Sequence, residues 1–489
     1  MSSTNNTRQA AWVALGSLFS YGFTLISGMI LSRYFEKPDY GTYQQVIYVY
    51  NTLLAVFTLG LPRAYSYFLP RINNEEAKAT INKITRLFFL LGFLFSVFLF
   101  IAAPLVASFL NNPDLTTALR IFSPVPFLML PTMGLEGILA TYQKSKLIAL
   151  YTSLTRFTML MCVTLPAILW HGSYSHSLVG FVLSSCLSFL LALYLKYYPI
   201  KSYKSESSRV TYKDIIRFSL PLMFASLGGI LINSTDQFFI SRYFGKIVFA
   251  EFSNGAIELP FATLIISVTS TVLLPLLSRM TNQGETGVSE LTGTWRNVFQ
   301  KSAMLIYPLL IFCLYDARHI MYALYGTAYI VSSDYFTIKI LYNFLKVLPY
   351  ASVLIAINET SYYAKTMFYT FIALATTEAI AVKFSSSALF LVSIHTFYVT
   401  LQAGIYIRHI AKKMNVPLIS MVPLSILTRI ITISLIAIYI AEIGKRIIDY
   451  AENPLFILAA DFFVYVTAYL LLCRLAKIHY GIIIRPLIK

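Results

Sequence analysis

AWVALGSLFSYGFTLISGMILSRYFEK, residues Ala11–Lys37, decides the fold class of this chain. From Ala11 to Leu31 no side chain is charged. At ~1.5 Å of rise per residue such a run is as long as the ~30 Å hydrocarbon core of a bilayer is thick. No small-x-small cleavage site follows it. The run passes straight into a charged turn, Arg33–Asp39, and therefore reads as a retained helix and not as a removed signal peptide.

The same alternation of long apolar runs and short polar breaks continues outward from this stretch. It predicts about fourteen membrane helices, at approximately 11–31, 42–62, 84–110, 118–140, 147–170, 177–198, 215–240, 247–276, 298–320, 334–358, 362–382, 385–407, 418–441 and 454–475. Hydrophobic residues make up 57% of the 489 and charged ones only 12%, too apolar a balance for a soluble domain of this length. Cys162, Cys186, Cys313 and Cys473 all sit in apolar runs with no C-x-x-C pair, which argues against a disulfide framework or a zinc site and for packing.

An even number of spans places both termini on one side, and charge assigns the side. Residues near span ends belong with the adjoining loop. The N-terminus, the even-to-odd loops and the C-terminal tail then hold 25 Lys/Arg, against 10 for the opposite loops. By the positive-inside rule both termini are expected in the cytoplasm. The net charge of +17 is accounted for by topology and anionic lipid, at ~1 kcal/mol per basic residue near the surface, and calls for no nucleic acid.

The turn that ends the first span returns later in the chain. Leu31-Ser-Arg-Tyr-Phe-Glu-Lys37 is matched by Ile240-Ser-Arg-Tyr-Phe-Gly-Lys246, and Thr58-Leu-Gly-Leu-Pro62 by Thr271-Val-Leu-Leu-Pro275. The copies begin six helices apart, so they share one orientation, the parallel kind of transporter repeat. The expected organisation is an N-terminal lobe at 1–198, a cytoplasmic linker at 199–214, a C-terminal lobe at 215–410, and a helix-thirteen and -fourteen appendage with its tail at 411–489.

The segment Leu31–Gln45, LSRYFEKPDYGTYQQ, resembles the aromatic-rich turn after helix one in polysaccharide flippases of the multidrug/oligosaccharidyl-lipid/polysaccharide exporter superfamily. That resemblance implies an all-α, two-lobed fold. It also implies an undecaprenyl-pyrophosphate-linked oligosaccharide as substrate, moved by alternating access around a central cavity. Relatives that flip the peptidoglycan precursor carry arginines midway along helices one and two. Here Arg33 and Arg63 sit at helix ends, which points instead to a capsule, O-antigen or exopolysaccharide unit. Other polysaccharide assembly proteins are the expected partners, and a bacterial cytoplasmic membrane the expected location.

A pyrophosphate calls for cations, and ionisable groups at membrane depth are functional candidates by default. Arg156, midway along helix five, and Lys346, midway along helix ten, are the central pair; interhelical pairing or snorkelling is their structural alternative. Arg8, Arg63 and Arg279 lie at cytoplasmic helix ends, where a flippase first meets its substrate and where plain anchoring also places arginines. Arg33 and Arg242 end helices on the opposite side, where a cation stabilises the dipole. Tyr21, Tyr48, Tyr50 and Asn51 are candidates for contact with sugar rings.

Asp236, in the polar run Asn233–Gln237, and Glu378, after Thr376 and Thr377, lie at similar depth in the C-terminal lobe. Two such carboxylates suit sodium or a shared proton; pairing with Arg242 or Lys383 is the alternative. The resemblance implies a sodium site between helices seven, eleven and twelve, to which Ser393 and Thr396 would add oxygens. Glu136 and Glu258 read as interhelical hydrogen-bonders, His395 as a packing residue, and Arg429 and Asp461 as a structural pair. Eight prolines, Pro104, Pro124, Pro126, Pro131, Pro166, Pro221, Pro308 and Pro349, interrupt helices, mostly as fixed kinks.

No organic cofactor is expected. Two other functions remain to be weighed: a cation-coupled drug or metabolite antiporter of the same fold, and a membrane polymerase or glycosyltransferase. The second finds no support in motifs, since there is no G-x-S-x-G, H-E-x-x-H or Walker lysine, and the outer loops are short.

Overall fold

The computed structural model describes residues 3–170, 172–203, 206–266, 269, 285–348, 350–447, 454–478 and 480. For residues 3–11, 13–15, 285–291 and 446–447 it describes the backbone only. Two compact units result, Met1–Ala250 and Glu251–Lys489. Among the described residues the secondary structure is helical. A segment in hydrocarbon must satisfy every backbone N–H and C=O within itself, and a helix does so.

Twelve described helices are long and apolar enough to cross a membrane. They match twelve of the fourteen expected spans. The first expected span falls on the Ser3–Tyr34 helix, and the eighth, 247–276, runs into residues outside those described. Outward-facing Ile101, Leu105, Leu190, Phe384 and Leu475 are all at least 60% exposed, as lipid-facing side chains are.

In the first unit the core is built by close helix pairs. The Ser145–Trp170 helix packs between Ser3–Tyr34 and Tyr174–Tyr197. At the second of these contacts Gly180 lies directly against the Cys162 carbonyl, where a Cβ has no room, and Ser177 Oγ donates to Val163 O at 2.7 Å. Between membrane helices there is little hydrophobic driving force, so small residues and short hydrogen bonds carry the contact. The linker docks on the start of the Asn74–Phe109 helix. Arg209 N donates to Glu76 Oε2 at 3.0 Å, and Lys83 Nζ to Val210 O at 2.7 Å.

The prolines act in two ways. Pro104, Pro166, Pro221 and Pro308 lie inside continuous helices. Pro124, Pro126 and Pro131 break the fourth span into Pro124–Met129, a 3-10 turn at Leu130–Thr132, and Leu135–Thr141. Pro349 lies outside the described residues.

In the second unit, Pro308 shows how a kink is compensated. Proline lacks an N–H and so frees the carbonyl four residues earlier. That carbonyl, Met304 O, accepts from the Tyr480 hydroxyl at 2.8 Å, and Tyr465 donates to Pro308 O at 2.8 Å. Both tyrosines come from the C-terminal part of the chain, and with Trp295 Nε1 donating to Met421 O at 2.7 Å they bind the Leu424–Ile447/Pro454–Leu475 hairpin to the Glu285–Tyr315 helix. Outside the spans, Glu359 pairs with Lys413 and with His409 at 3.2 Å. These two partners' hydrogen bonds hold its carboxyl below the usual range.

Replacing Gly180 by valine is expected to force the Ser145–Trp170 and Tyr174–Tyr197 helices apart. The cost should be about 1–3 kcal/mol, as for other overpacked sites. Thermal melting of the detergent-solubilised protein should show a lower midpoint than for the wild type.

Candidate functional site

The first unit contains two adjoining cavities of about 400 and 510 Å³, each within the ~300–1,000 Å³ range of small-ligand sites. Both are lined by Met129, Met133, Met159 and Arg156, so the guanidinium stands where they join. The lining comes from Ser3–Tyr34, Lys37–Phe57, Pro62–Phe68, the broken fourth span, Ser145–Trp170 and Tyr174–Tyr197. Arg156 is exposed, and Nη1 lies 3.5 Å from Met159 Sδ, a weak acceptor.

The walls differ in chemistry. One cavity presents Tyr43, Gln44, Tyr50 and Asn51 together with Phe23 and Phe181. Flat rings beside amide donors and acceptors suit a polar ligand with apolar faces. The other presents Arg63, Thr132, Glu136, Thr152 and Thr155. Two guanidiniums against one carboxylate make the ionisable part of the lining net positive, and a planar guanidinium binds phosphate oxygens two at a time. Arg63, Arg156, Tyr50 and Asn51 are thus brought to one connected lining. Sequence reasoning missed Tyr43 and Gln44, although their place on the Lys37–Phe57 helix with Tyr50 offered the signal.

The two copies of the repeated turn also meet in this unit. Glu36 ends the first turn with extended backbone at φ −64°, ψ 151°. Gly245, its repeat counterpart, breaks the Tyr212–Gly255 helix at φ 78°, ψ 178°, a conformation that favours glycine. Gln45 Nε2 donates to Ser241 Oγ at 2.8 Å, and Asn112 Nδ2 donates to Gln45 Oε1 at 2.6 Å and to Thr42 Oγ1 at 3.0 Å. All four residues are fully buried or nearly so. Lys246 pairs with Asp114. Arg242 donates to Phe109 O, so it caps a neighbouring helix and not its own.

Asp236, in the first unit, and Glu378, in the second, are each fully buried. Near Asp236, the Ser234 carbonyl accepts from the Tyr48 hydroxyl at 3.3 Å, and Ser234 Oγ lies 3.1 Å from Thr52 Oγ1. Next to Glu378, Thr377 Oγ1 is 2.7 Å from Tyr398 OH. Thr396 is buried and its hydroxyl makes no hydrogen bond among the described residues. Ser393 is exposed and donates back to Leu389 O at 2.8 Å. His395 is buried and bonded through Nδ1 to Lys339 Nζ at 2.9 Å.

Lys346 ends the short Asn343–Lys346 helix and pairs with Glu258 at 3.4 Å. Arg279 and the Arg8 side chain lie outside the described residues. The expected Arg429–Asp461 pair needs correction: Asp461 is 2.7 Å from Lys445 Nζ, and Arg429 is exposed. The hairpin runs antiparallel with Gly444 beside Val464, a register that puts Lys445 across from Asp461 and carries Arg429 some four turns away. Lys196, at the end of the Tyr174–Tyr197 helix, is completely buried. Its Nζ donates to Tyr65 OH at 2.9 Å and lies 4.6 Å from that ring's centre and 5.5 Å from that of Phe88. Two aromatic faces and a hydroxyl stabilise the cation in place of a carboxylate.

A family model described as polysaccharide biosynthesis protein matches residues 30–334. An uncharacterised membrane protein of Methanocaldococcus jannaschii is 22% identical over 287 residues, covering 56% of this chain and 68% of that one. Among solved structures, the lipid II flippase MurJ in an inward closed conformation superposes with a TM-score of 0.73 at 15% identity, over 98% of this chain and 99% of that chain. An inward-facing multidrug resistance MATE family transporter of the MOP superfamily gives 0.62 at 15% identity, over 80% and 94%. A MOP superfamily transporter from Pyrococcus furiosus gives 0.59 at 16%, over 84% and 95%. At these identities the structural likeness establishes the fold. The chain belongs to the polysaccharide biosynthesis protein family and is a multi-pass membrane protein with the fold of the MOP superfamily of flippases and transporters.

Proposed function

We propose that this protein moves an undecaprenyl-pyrophosphate-linked oligosaccharide from the cytoplasmic to the outer leaflet of a bacterial cytoplasmic membrane by alternating access. The observation that carries this reading is the paired cavity hinged on Arg156. The Arg63 side suits a pyrophosphate, and the Tyr43, Tyr50 and Asn51 side suits sugar rings and hydroxyls. A pyrophosphate leaving water loses a large hydration energy, and fixed guanidiniums in a partly dry cavity replace it. The family, whose description names polysaccharide biosynthesis, and the likeness to a lipid II flippase support the same substrate class.

The clamp of Gln45, Asn112, Ser241 and Lys246 is the element that would open and reseal as the cavity changes access. Both termini would face the cytoplasm, and other polysaccharide assembly proteins would supply the loaded lipid and receive it. Coupling would run through sodium or a proton, taken up at Asp236 in the first unit and, in the second, at Glu378 with Ser393 and Thr396 contributing oxygens. Each charge moved through 100 mV adds ~2.3 kcal/mol of drive. The second reading, a cation-coupled drug or metabolite antiporter, takes its support from Glu136 in the cavity and from the likeness to MATE transporters.

A strain lacking the gene is expected to accumulate a complete undecaprenyl-linked repeat unit, read by mass spectrometry of lipid extracts, and to lose surface polymer. Unchanged lipid pools with increased drug sensitivity would instead establish the antiporter. Complementation with Arg156→Ala should restore polymer at least about 10-fold less well than wild type, as expected for loss of a charged hydrogen bond worth ~1.5–3 kcal/mol, and Arg156→Lys should recover part of the loss. Oxidising a Gln45→Cys/Ser241→Cys double variant should stop polymer export, and reduction should restart it.

A further inference from the structure

The second unit contains an ionisable cluster that shares no residue with the cavity lining. Asp316 immediately precedes the Ala317–Tyr325 helix, whose first turn carries His319, and Asp461 lies in the Pro454–Leu475 helix. Both carboxylates are 1% exposed. One ligand atom from each of Asp316, His319 and Asp461 falls within 4.8 Å of the others. His319 Nδ1 is 2.6 Å from Asp316 Oδ1. The third helix at the cluster, Leu424–Ile447, brings Lys445, whose ammonium lies 2.7 Å from Asp461 Oδ2 and 3.8 Å from Asp316 Oδ1. Glu442 accepts from the Tyr315 hydroxyl at 2.5 Å beside it.

Two features point to cation binding here. Asp316 Oδ2 and Asp461 Oδ1 are buried and accept no hydrogen bond among the described residues, and a buried carboxylate oxygen left without a donor is costly. With His319 neutral, Asp316 and Asp461 at their formal charges also place two negative charges against the one positive charge of Lys445. The Lys445 ammonium shows that the space between the carboxylates attracts positive charge. Two carboxylates and an imidazole form a mixed oxygen and nitrogen donor set, which suits divalent ions of the manganese-to-zinc series better than calcium or magnesium.

We propose that Asp316, His319 and Asp461 form a binding site for a divalent transition-metal ion, for which Lys445 is the competing cation. A bound ion takes one oxygen from each aspartate and a nitrogen from His319, and displaces the Lys445 ammonium from Asp461. Because the ligands come from the corner after the Glu285–Tyr315 helix and from the C-terminal hairpin, the ion ties these segments together.

Full-length, tag-free protein in detergent, stripped with chelator, should be titrated with zinc chloride by calorimetry, with cobalt chloride by visible absorption, and with magnesium chloride as the hard-ion comparison. The expected result is one zinc per chain, a cobalt ligand-field band, a raised melting temperature with zinc, and little response to magnesium. Asp461→Asn and His319→Ala should weaken zinc binding at least 30-fold, with circular dichroism confirming that they remain folded. Lys445→Gln removes the competitor and should bind zinc at least 5-fold more tightly than wild type. The last variant separates the two readings, because a purely structural salt bridge loses stability in Lys445→Gln and gains nothing from zinc. Absence of saturable zinc binding in both wild type and Lys445→Gln overturns the proposal. So does zinc binding that persists unchanged in Asp461→Asn.

Discussion

Hydrocarbon offers a peptide group no hydrogen-bond partner, and the rest of this structure depends on meeting that constraint. Regular helix meets it over most of each span. Where the sequence breaks the pattern, a side chain steps in. Pro308 frees the Met304 carbonyl, and Tyr480 takes it up; Tyr465 holds Pro308 O. The kink and its repair are therefore one device, and it draws the C-terminal hairpin onto the Glu285–Tyr315 helix. A proline that would only weaken a soluble helix serves here as an attachment point.

The same constraint sorts the charges. A cation at membrane depth has to find a counter-charge, an aromatic face, a hydroxyl or a polar cavity. Lys196 uses Tyr65 and Phe88, Lys339 uses His395, and Lys445 uses Asp461. Arg156 differs from all three, because it faces a cavity with methionine and threonine around it and has the Met159 sulfur for company. A guanidinium in that position has most of its donors available to a ligand. That difference in solvation, more than depth alone, separates a cavity-facing charge from a structural one.

The repeated S-R-Y-F-x-K turn shows how one motif serves two ends. In sequence, both copies lie within the stretch that matches the polysaccharide biosynthesis protein family. As structure it makes a corner at Glu36 and again at Gly245, and the two corners are knitted together by Gln45, Ser241 and Asn112. Buried amides and hydroxyls hold this contact, with one ion pair at Lys246–Asp114. Such a contact is specific in register, because each buried amide and hydroxyl has to meet its own partner while Tyr40, Val46, Ile240 and Phe249 are buried around it.

Fold class, the positions of twelve spans and the family were legible in the sequence, because a bilayer imposes length and hydropathy on each segment independently of its neighbours. Arg156, Arg63, Tyr50 and Asn51 were also legible as candidates, since residue type and depth are local properties. Partners were not. Assigning Asp461 to Arg429 compared depths without knowing the hairpin register, and a shift of a few residues moves a side chain onto another helix face. The buried state of Lys196, the joining of two cavities at Arg156, and the meeting of Asp316, His319 and Asp461 were likewise decided by tertiary structure alone. Each depends on which helices are neighbours and how they are rotated, and in a membrane that choice rests on small residues and scattered polar contacts too weak in pattern to stand out along a uniformly apolar chain.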